Sequence, residues 1–272
     1  IRRPPRSTLS SSSAASDVYK RQSLWVNRIK PIKALKALRA LAANKEDTVQ
    51  VFHVIDALGG TNRKAFRDFK KSDVGKNVLE NKIHLINTLK RKDYLSKLPE
   101  GSLGKNYYNF IYKEKLTPDE LVSASEINFD PNKTEEENIF HTRLRDMHDL
   151  WHVTTGYGRD ALGELSLLAF TYAQEKNRGI GAIVLYGYRI MGKVTRELNF
   201  NIDLRDVVKE GYKLGKEASF WACADWENLL EKPINEVRTI LKAGKPELYK
   251  EVLHEFSIKE ENHLRKTPQV AA

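Results

Sequence analysis

The sequence contains one cysteine, Cys223, so no disulfide can form within the chain. That fits a reducing compartment and excludes the small disulfide-stapled scaffolds of secreted proteins. Cys223 lies in an aromatic run with Phe220, Trp221 and Trp226, where a small buried hydrophobe is expected rather than a reactive thiol. Long apolar runs are also missing. The two best, 165–173 and 180–188, fall well short of the roughly 18 residues that argue for a membrane-spanning helix, and read as core helices. There is no alternating β-branched run with hairpin turns, which argues against a major sheet. No internal repeat is evident, and no Ser/Gly linker divides the chain after residue 23. The balance of 40% apolar and 30% charged residues in 272 is that of a globular protein able to bury a sizeable core.

Residues 1–22 are set apart by composition. They are rich in Pro and Ser, and carry Arg2, Arg3, Arg6, Lys20 and Arg21 against Asp17, so four of the ten net positive charges belong to them. Rich in Arg and nearly free of acids, the segment reads superficially as an organelle transit peptide. It also resembles translated sequencing-adaptor runs, and is expected to be a non-native or disordered leader. Met is absent before Met147, so the reading frame is expected to be incomplete. What remains is modestly basic and implies no nucleic-acid partner. A domain over 23–258 and a frayed polar tail over 259–272 complete the expected layout.

What the chain does contain is helical pattern nearly everywhere. Residues 32–43 are strong helix formers, with Leu35, Leu38 and Leu41 apolar and Lys33, Lys36 and Arg39 basic. The basic stretch 28–39 reads equally as a membrane-contacting face or a solvated one. Asp47 can cap a helix ended by Gly59 and Gly60. Further helices are predicted over 73–93 and 103–115. Another starts at a capping box in Thr117-Pro118-Asp119-Glu120. The pattern continues over 135–155, 160–177, 180–198 and 203–222, and two more helices begin near Pro233 and Pro246. The expected fold class is all-α: a single multi-helix domain with a metal site between two helices.

The chemistry-bearing segment runs from Arg143 to Glu164. His148 and His152 are four apart, so on a helix they share a face about one turn apart. Asp149 lies about 100° round from His148, near enough for a short carboxylate to reach the same spot. Gly156-Tyr157-Gly158 lets the chain turn, so that Glu164 can face back from the next helix. Two nitrogen and two oxygen donors suit Zn²⁺ or a similar first-row divalent metal with a position open for substrate. Chance spacing of two surface histidines is the plain alternative. A zincin is another, with Asp149 where that motif carries a Glu. A third is a His-Asp phosphohydrolase, for which His53 and His84 are upstream candidates. Arg143, Arg145 and Arg159 flank the motif and suit a carboxylate or phosphate, or pair with neighbours such as Asp146 and Asp160. Tyr157 either hydrogen-bonds a substrate phenol or packs. Glu251-x-x-His254 and Glu260-x-x-His263 have half of a di-iron spacing, but lie in a polar region and read as solvated surface.

The motif His148-Asp149-x-x-His152 with Glu164 twelve residues on resembles the signature of the ubiquinone biosynthesis family known as coenzyme Q protein four, in its bacterial form. The resemblance extends to Pro99-Glu-Gly-Ser-Leu-Gly, Arg143-Leu-Arg-Asp-Met, Gly156-Tyr-Gly-Arg-Asp, Leu162-Gly-Glu-Leu, Leu168-Ala-Phe-Thr-Tyr-Ala-Gln and Trp226-Glu, and covers about residues 25–250. It implies an all-α fold, a homodimer, and a metal, usually zinc, held by His148, Asp149, His152 and Glu164. It implies removal of the ring carboxylate of a polyprenylated hydroxybenzoate at ring carbon one. Arg145, Tyr157 and Arg159 are then the expected substrate-binding residues. Zinc cannot supply electrons, so coupling to hydroxylation requires a redox-active metal. The alternative is a non-catalytic lipid-binding scaffold that organises other ubiquinone-biosynthesis enzymes at a membrane. The expected location is the bacterial cytoplasm, peripheral to the inner membrane.

Overall fold

A computed structural model describes residues 29–44, 49–59, 62–113 and 133–266, with backbone only for Lys113 and residues 259–266. Among these residues there is no strand, and a lone bridge joins Ser102 to Pro233. The all-α expectation holds. The leader 1–22, the Asp47 cap and the capping box at Thr117–Glu120 lie outside the described residues.

The chain opens with α1 (Pro31–Ala43) and α2 (Val49–Leu58). The short helices α3 (Arg63–Lys71), α4 (Asp73–Glu80), α5 (Ile86–Leu89) and α6 (Lys92–Lys97) follow, then α7 (Leu103–Lys113). After the gap come α8 (Glu135–Asp146), α9 (His148–Thr155), α10 (Ala161–Glu175), α11 (Arg178–Glu197) and α12 (Leu204–Glu217). A 3₁₀ turn (Trp221–Cys223) precedes α13 (Trp226–Leu229), α14 (Ile234–Ile240) and α15 (Glu247–Lys266). The last helix thus continues past residue 259, where the charged tail begins.

Helix α10 is the axis of the core. Leu162, Leu165, Leu167, Ala169, Phe170 and Ala173 are buried over more than half of its circumference, as expected of a helix flanked by several others. Its nearest neighbour is α12, and the approach is close because α12 carries glycine where the backbones meet. A Cβ at Gly211 would lie 2.4 Å from the Ser166 carbonyl oxygen, and one at Gly215 would lie 2.5 Å from that of Phe170. On the other side, α1, α2 and α11 share a satellite cluster of Leu38, Val54 and Ile183. Below α9 lies a stack of aromatic rings: Trp151 meets Trp221 at 5.4 Å, and Trp221 meets Phe170 at 4.6 Å and Trp226 at 5.9 Å. Cys223 packs half-buried at its edge.

Two predicted helices are each divided. The stretch 73–93 breaks after α4, where Asn81 caps the helix and Lys82 takes a left-handed φ of 48°. The chain then re-enters helix at Ile86, whose N–H donates to Asp146 Oδ2 at 3.2 Å. The stretch 135–155 breaks at Met147, where ψ falls to −2° and the N–H is shared between the Arg143 and Arg145 carbonyls. Both sides of the break are tied down by distant partners. Arg143, fully buried, forks onto Glu227 with two bonds of 2.7 Å, and Trp151 is locked into the aromatic stack. Helix α3 and the 3₁₀ turn in the stretch predicted as the end of 203–222 were not signalled by periodicity.

Candidate metal centre

The break at Met147 puts His148 at the first position of α9, with His152 one turn later on the same face. Trp151 is held in the aromatic stack, and the two imidazoles meet edge to face. Gly156 ends the helix with φ 88°, a conformation that costs a side-chain-bearing residue and not glycine. The chain then reverses, and Asp160 starts α10 by accepting the N–H groups of Leu162 and Gly163, each at 3.0 Å. Glu164 therefore falls in the first turn of α10, where the helix dipole favours a carboxylate.

The three side chains converge. Glu164 Oε2 lies 3.3 Å from His152 Nε2 and 3.9 Å from His148 Nε2, and the imidazole centroids are 4.8 Å apart. One donor atom from each lies within 4.8 Å of the others, a geometry able to hold one ion. The fourth expected donor, Asp149, is not in this group. Its Oδ1 faces His148 Nδ1 at 3.4 Å, an arrangement that leaves Nε2 of that ring for a metal.

The hydrogen-bond inventory of His152 tests whether a cation fits. Its Nδ1 lies 3.0 Å from the Tyr157 carbonyl oxygen, which can only accept, so Nδ1 carries the proton. In the neutral ring Nε2 then presents a lone pair. That atom is buried and makes no hydrogen bond, although Glu164 is 3.3 Å away. A lone pair facing a carboxylate oxygen is unfavourable, and a cation between them removes the conflict.

The groups of the cluster also shift one another's proton affinity. Burial pulls the His148 pKa down, but Asp149 and Glu164 outweigh it and hold the value above normal. Burial pushes the Glu164 and Asp149 carboxyls up, and the neighbouring histidines with Arg159 overcome it, so both lie below their usual values. Glu164 and Asp149 are thereby kept as carboxylates.

The site is closed at one end and open at the other. His152 is fully buried, with the Phe110 ring of α7 stacked over it at 5.6 Å, whereas the His148 and Glu164 side chains are 33% and 35% exposed. A cleft of about 380 Å³ runs past His152, lined by Asn106, Asn109, Phe110, Val153 and Tyr157. Phe110 and the two asparagines were not singled out from the sequence. Nothing in their local spacing separates them from an ordinary helix stripe.

The remaining expected residues are placed as follows. Arg145 donates to Asp146 Oδ1 at 2.8 Å. The Arg159 charge reaches His148, Asp149 and Glu164. Tyr157 lends its carbonyl to His152, and its buried ring lies 5.2 Å from that of Tyr249. Neither His53 nor His84 joins the cluster, so the phosphohydrolase arrangement does not form among the described residues. Glu251 and His254 are exposed, as expected of solvated surface.

Comparison with known proteins identifies relatives. A ubiquinone biosynthesis protein coq4, mitochondrial, of Aspergillus terreus is 30% identical over 187 residues, covering 68% of this chain and 62% of that protein. The Aedes aegypti homolog, also named mitochondrial, is 31% identical over 175 residues, covering 62% of this chain and 58% of that protein. The Candida tropicalis protein is 28% identical over 181 residues, covering 65% and 52%. The chain thus spans less than two thirds of the length of these relatives. A crystal structure of a Nostoc punctiforme PCC 73102 protein has the same fold, with a TM-score of 0.58 at 22% identity, covering 80% of this chain and all of that one. The mitochondrial names overturn the expected bacterial cytoplasmic location. The motif that prompted that expectation carries no compartment signal, and the fungal and insect proteins above are all named mitochondrial. No helix among the described residues is long and apolar enough to cross a membrane. A family model matches residues 30–247, and the chain belongs to the coenzyme Q (ubiquinone) biosynthesis protein Coq4 family.

Proposed function

We propose that this protein acts in ubiquinone biosynthesis as a metal-dependent carboxy-lyase, releasing CO₂ from ring carbon one of a polyprenylated hydroxybenzoate. The observation that carries the proposal is the buried His152 Nε2, which faces Glu164 at 3.3 Å with no hydrogen bond and converges with it and His148 at one point. These three residues would hold the ion, zinc or another first-row divalent metal. When bound, the ion supplies Lewis acidity toward an oxygen of the substrate.

The chain's own residues do the rest. Asp149 orients His148 through Nδ1, and the Tyr157 carbonyl orients His152. Arg159 adds positive charge beside the centre, where a substrate carboxylate is drawn in. Arg145, committed to Asp146, is the weaker candidate for that role. The cleft of about 380 Å³ is of a size for a substituted aromatic ring, with Asn106 and Asn109 as amide partners for ring oxygens. Phe110 shields His152 from water. Breaking the ring–carboxylate bond leaves an electron pair at ring carbon one. A proton takes its place, so that hydrogen replaces the carboxylate with no change of oxidation state beyond the release of CO₂.

On this proposal the partners are the prenylated aromatic lipid and other ubiquinone-biosynthesis enzymes. The protein works as a homodimer at a membrane surface, where the prenyl chain resides.

The test is complementation of a ubiquinone-deficient strain lacking the family member, with quinone precursors followed by mass. Wild type should restore ubiquinone, and Glu164→Ala should accumulate the ring-carboxylated precursor. Equal restoration by both would refute the metal-dependent chemistry and favour a scaffold. Arg159→Ala with undiminished turnover would remove Arg159 from the mechanism.

A further inference from the structure

One hydroxyl on the last described helix bonds to two points of the turn between the two ligand-bearing helices. Tyr249, on α15, is buried. Its hydroxyl accepts the Gly158 N–H at 2.9 Å and donates to Asp160 Oδ2. Asp160 Oδ1 is the N-cap of α10, the helix that carries Glu164 in its first turn. Gly158 follows Tyr157, whose carbonyl accepts from His152 Nδ1. The Tyr249 ring also packs on the Tyr157 ring at 5.2 Å. The phenol thus bridges the backbone that orients His152 and the cap that sets the start of the Glu164 helix.

The glycines of the motif are explained by the same group. A Cβ at Gly158 would lie 2.6 Å from the Tyr249 hydroxyl oxygen, and one at Gly163 would lie 2.8 Å from it. Both values are far inside van der Waals contact, so both positions are kept clear for this oxygen. The Gly158 carbonyl oxygen fills the rest of the space beside Gly163, at 2.2 Å from such a Cβ. Helix α15 is held in register by Glu210 of α12, which accepts the Leu248 N–H at 3.2 Å. The helix that carries the phenol is thus tied to α12 as well as to the turn.

We infer that Tyr249 is a positioning residue for the metal centre, setting the distance between His152 and Glu164 through its hydroxyl. This rests on the metal reading above. Partners of metal-ligating residues typically contribute 10- to 100-fold in metal affinity, and a loss in that range is expected here when the hydroxyl is removed.

The experiment compares wild type, Tyr249→Phe and Val252→Ala. Val252 is a buried core residue on the same helix whose side chain has no group to hydrogen-bond Gly158 or Asp160, so its truncation serves as a control for loss of packing. Each protein is stripped of metal and titrated with Co²⁺, reading the visible absorption bands and the Kd. The imidazole ¹⁵N shifts of the metal-free proteins report the His152 tautomer independently. Tyr249→Phe should bind Co²⁺ 10- to 100-fold more weakly, with altered bands and a His152 ring no longer held as the Nδ1–H tautomer. Val252→Ala should keep wild-type affinity, bands and tautomer. The inference is overturned if Tyr249→Phe matches wild type in all three readouts, or if Val252→Ala loses affinity equally. Failure of wild type itself to bind Co²⁺ would overturn the metal reading, while the tautomer comparison would still judge the bracing role.

Discussion

Glu175 ends α10 in an environment unusual for a carboxylate. It is buried, and accepts one hydrogen bond of 3.1 Å from the Asn62 side chain, whose own oxygen accepts from Asn177 at 3.0 Å. Burial pushes its pKa up to about 8, against an ordinary 4.5, while Asn62 and the His148 charge only partly counter it. The folded protein therefore keeps the proton through neutrality, whereas the unfolded chain releases it above about pH 4.5. Between these values the unfolded state binds fewer protons, so stability falls as pH rises. The contribution is fully present below pH 4.5 and is lost on rising through about pH 8. From pH 4.5 to 7 the slope approaches about 1.4 kcal/mol per pH unit, and because the unfolded carboxyl is only half ionised at pH 4.5 the loss comes to about 3 kcal/mol. That corresponds to roughly 6 to 12 °C of Tm for a chain of this size. The assay is urea unfolding of wild type and Glu175→Gln between pH 5 and 8. Gln keeps an acceptor for Asn62 and cannot ionise, so its curve should be flatter by up to that amount. Comparing slopes removes any fixed cost of burying the new amide. Parallel curves for the two proteins would refute the assignment of a protonated Glu175.

Two further stability predictions follow from close contacts. Glu227→Ala leaves the fully buried Arg143 guanidinium without its carboxylate, and should cost about 3–5 kcal/mol in urea titration. The double variant Arg143→Met with Glu227→Leu should recover most of that loss, because no charge is then left buried. Gly211→Ala drives a Cβ to 2.4 Å from the Ser166 carbonyl and should cost about 1–3 kcal/mol, although alanine is the better helix former. A stabilised Gly211→Ala protein would show that α12 can move off α10 freely.

The extent to which the site was legible depended on how local each signal is. The four-residue spacing of His148 and His152 puts them on one face because helix geometry repeats every 3.6 residues, and α9 does so. The Gly156 reversal and the Asp160 cap, both written within a few residues, return Glu164 to the same place. The all-α class was equally visible, since apolar periodicity and helix starts are properties of short windows.

What lay beyond such windows was decided by packing. Spacing allowed Asp149 to reach the donor point, but in the folded chain its carboxylate goes to His148 Nδ1 instead. The break at Met147 has no helix-breaking residue to announce it; Arg143 is held by Glu227 and Trp151 by Trp221, residues some seventy to eighty positions away. Phe110 over His152 and Tyr249 under Gly158 reach the site from helices on either side in sequence. Short-range geometry sets which side chains share a helix face. Which of those faces meet, and which atom is left without a partner, is set by helices distant in sequence competing to bury the same surface.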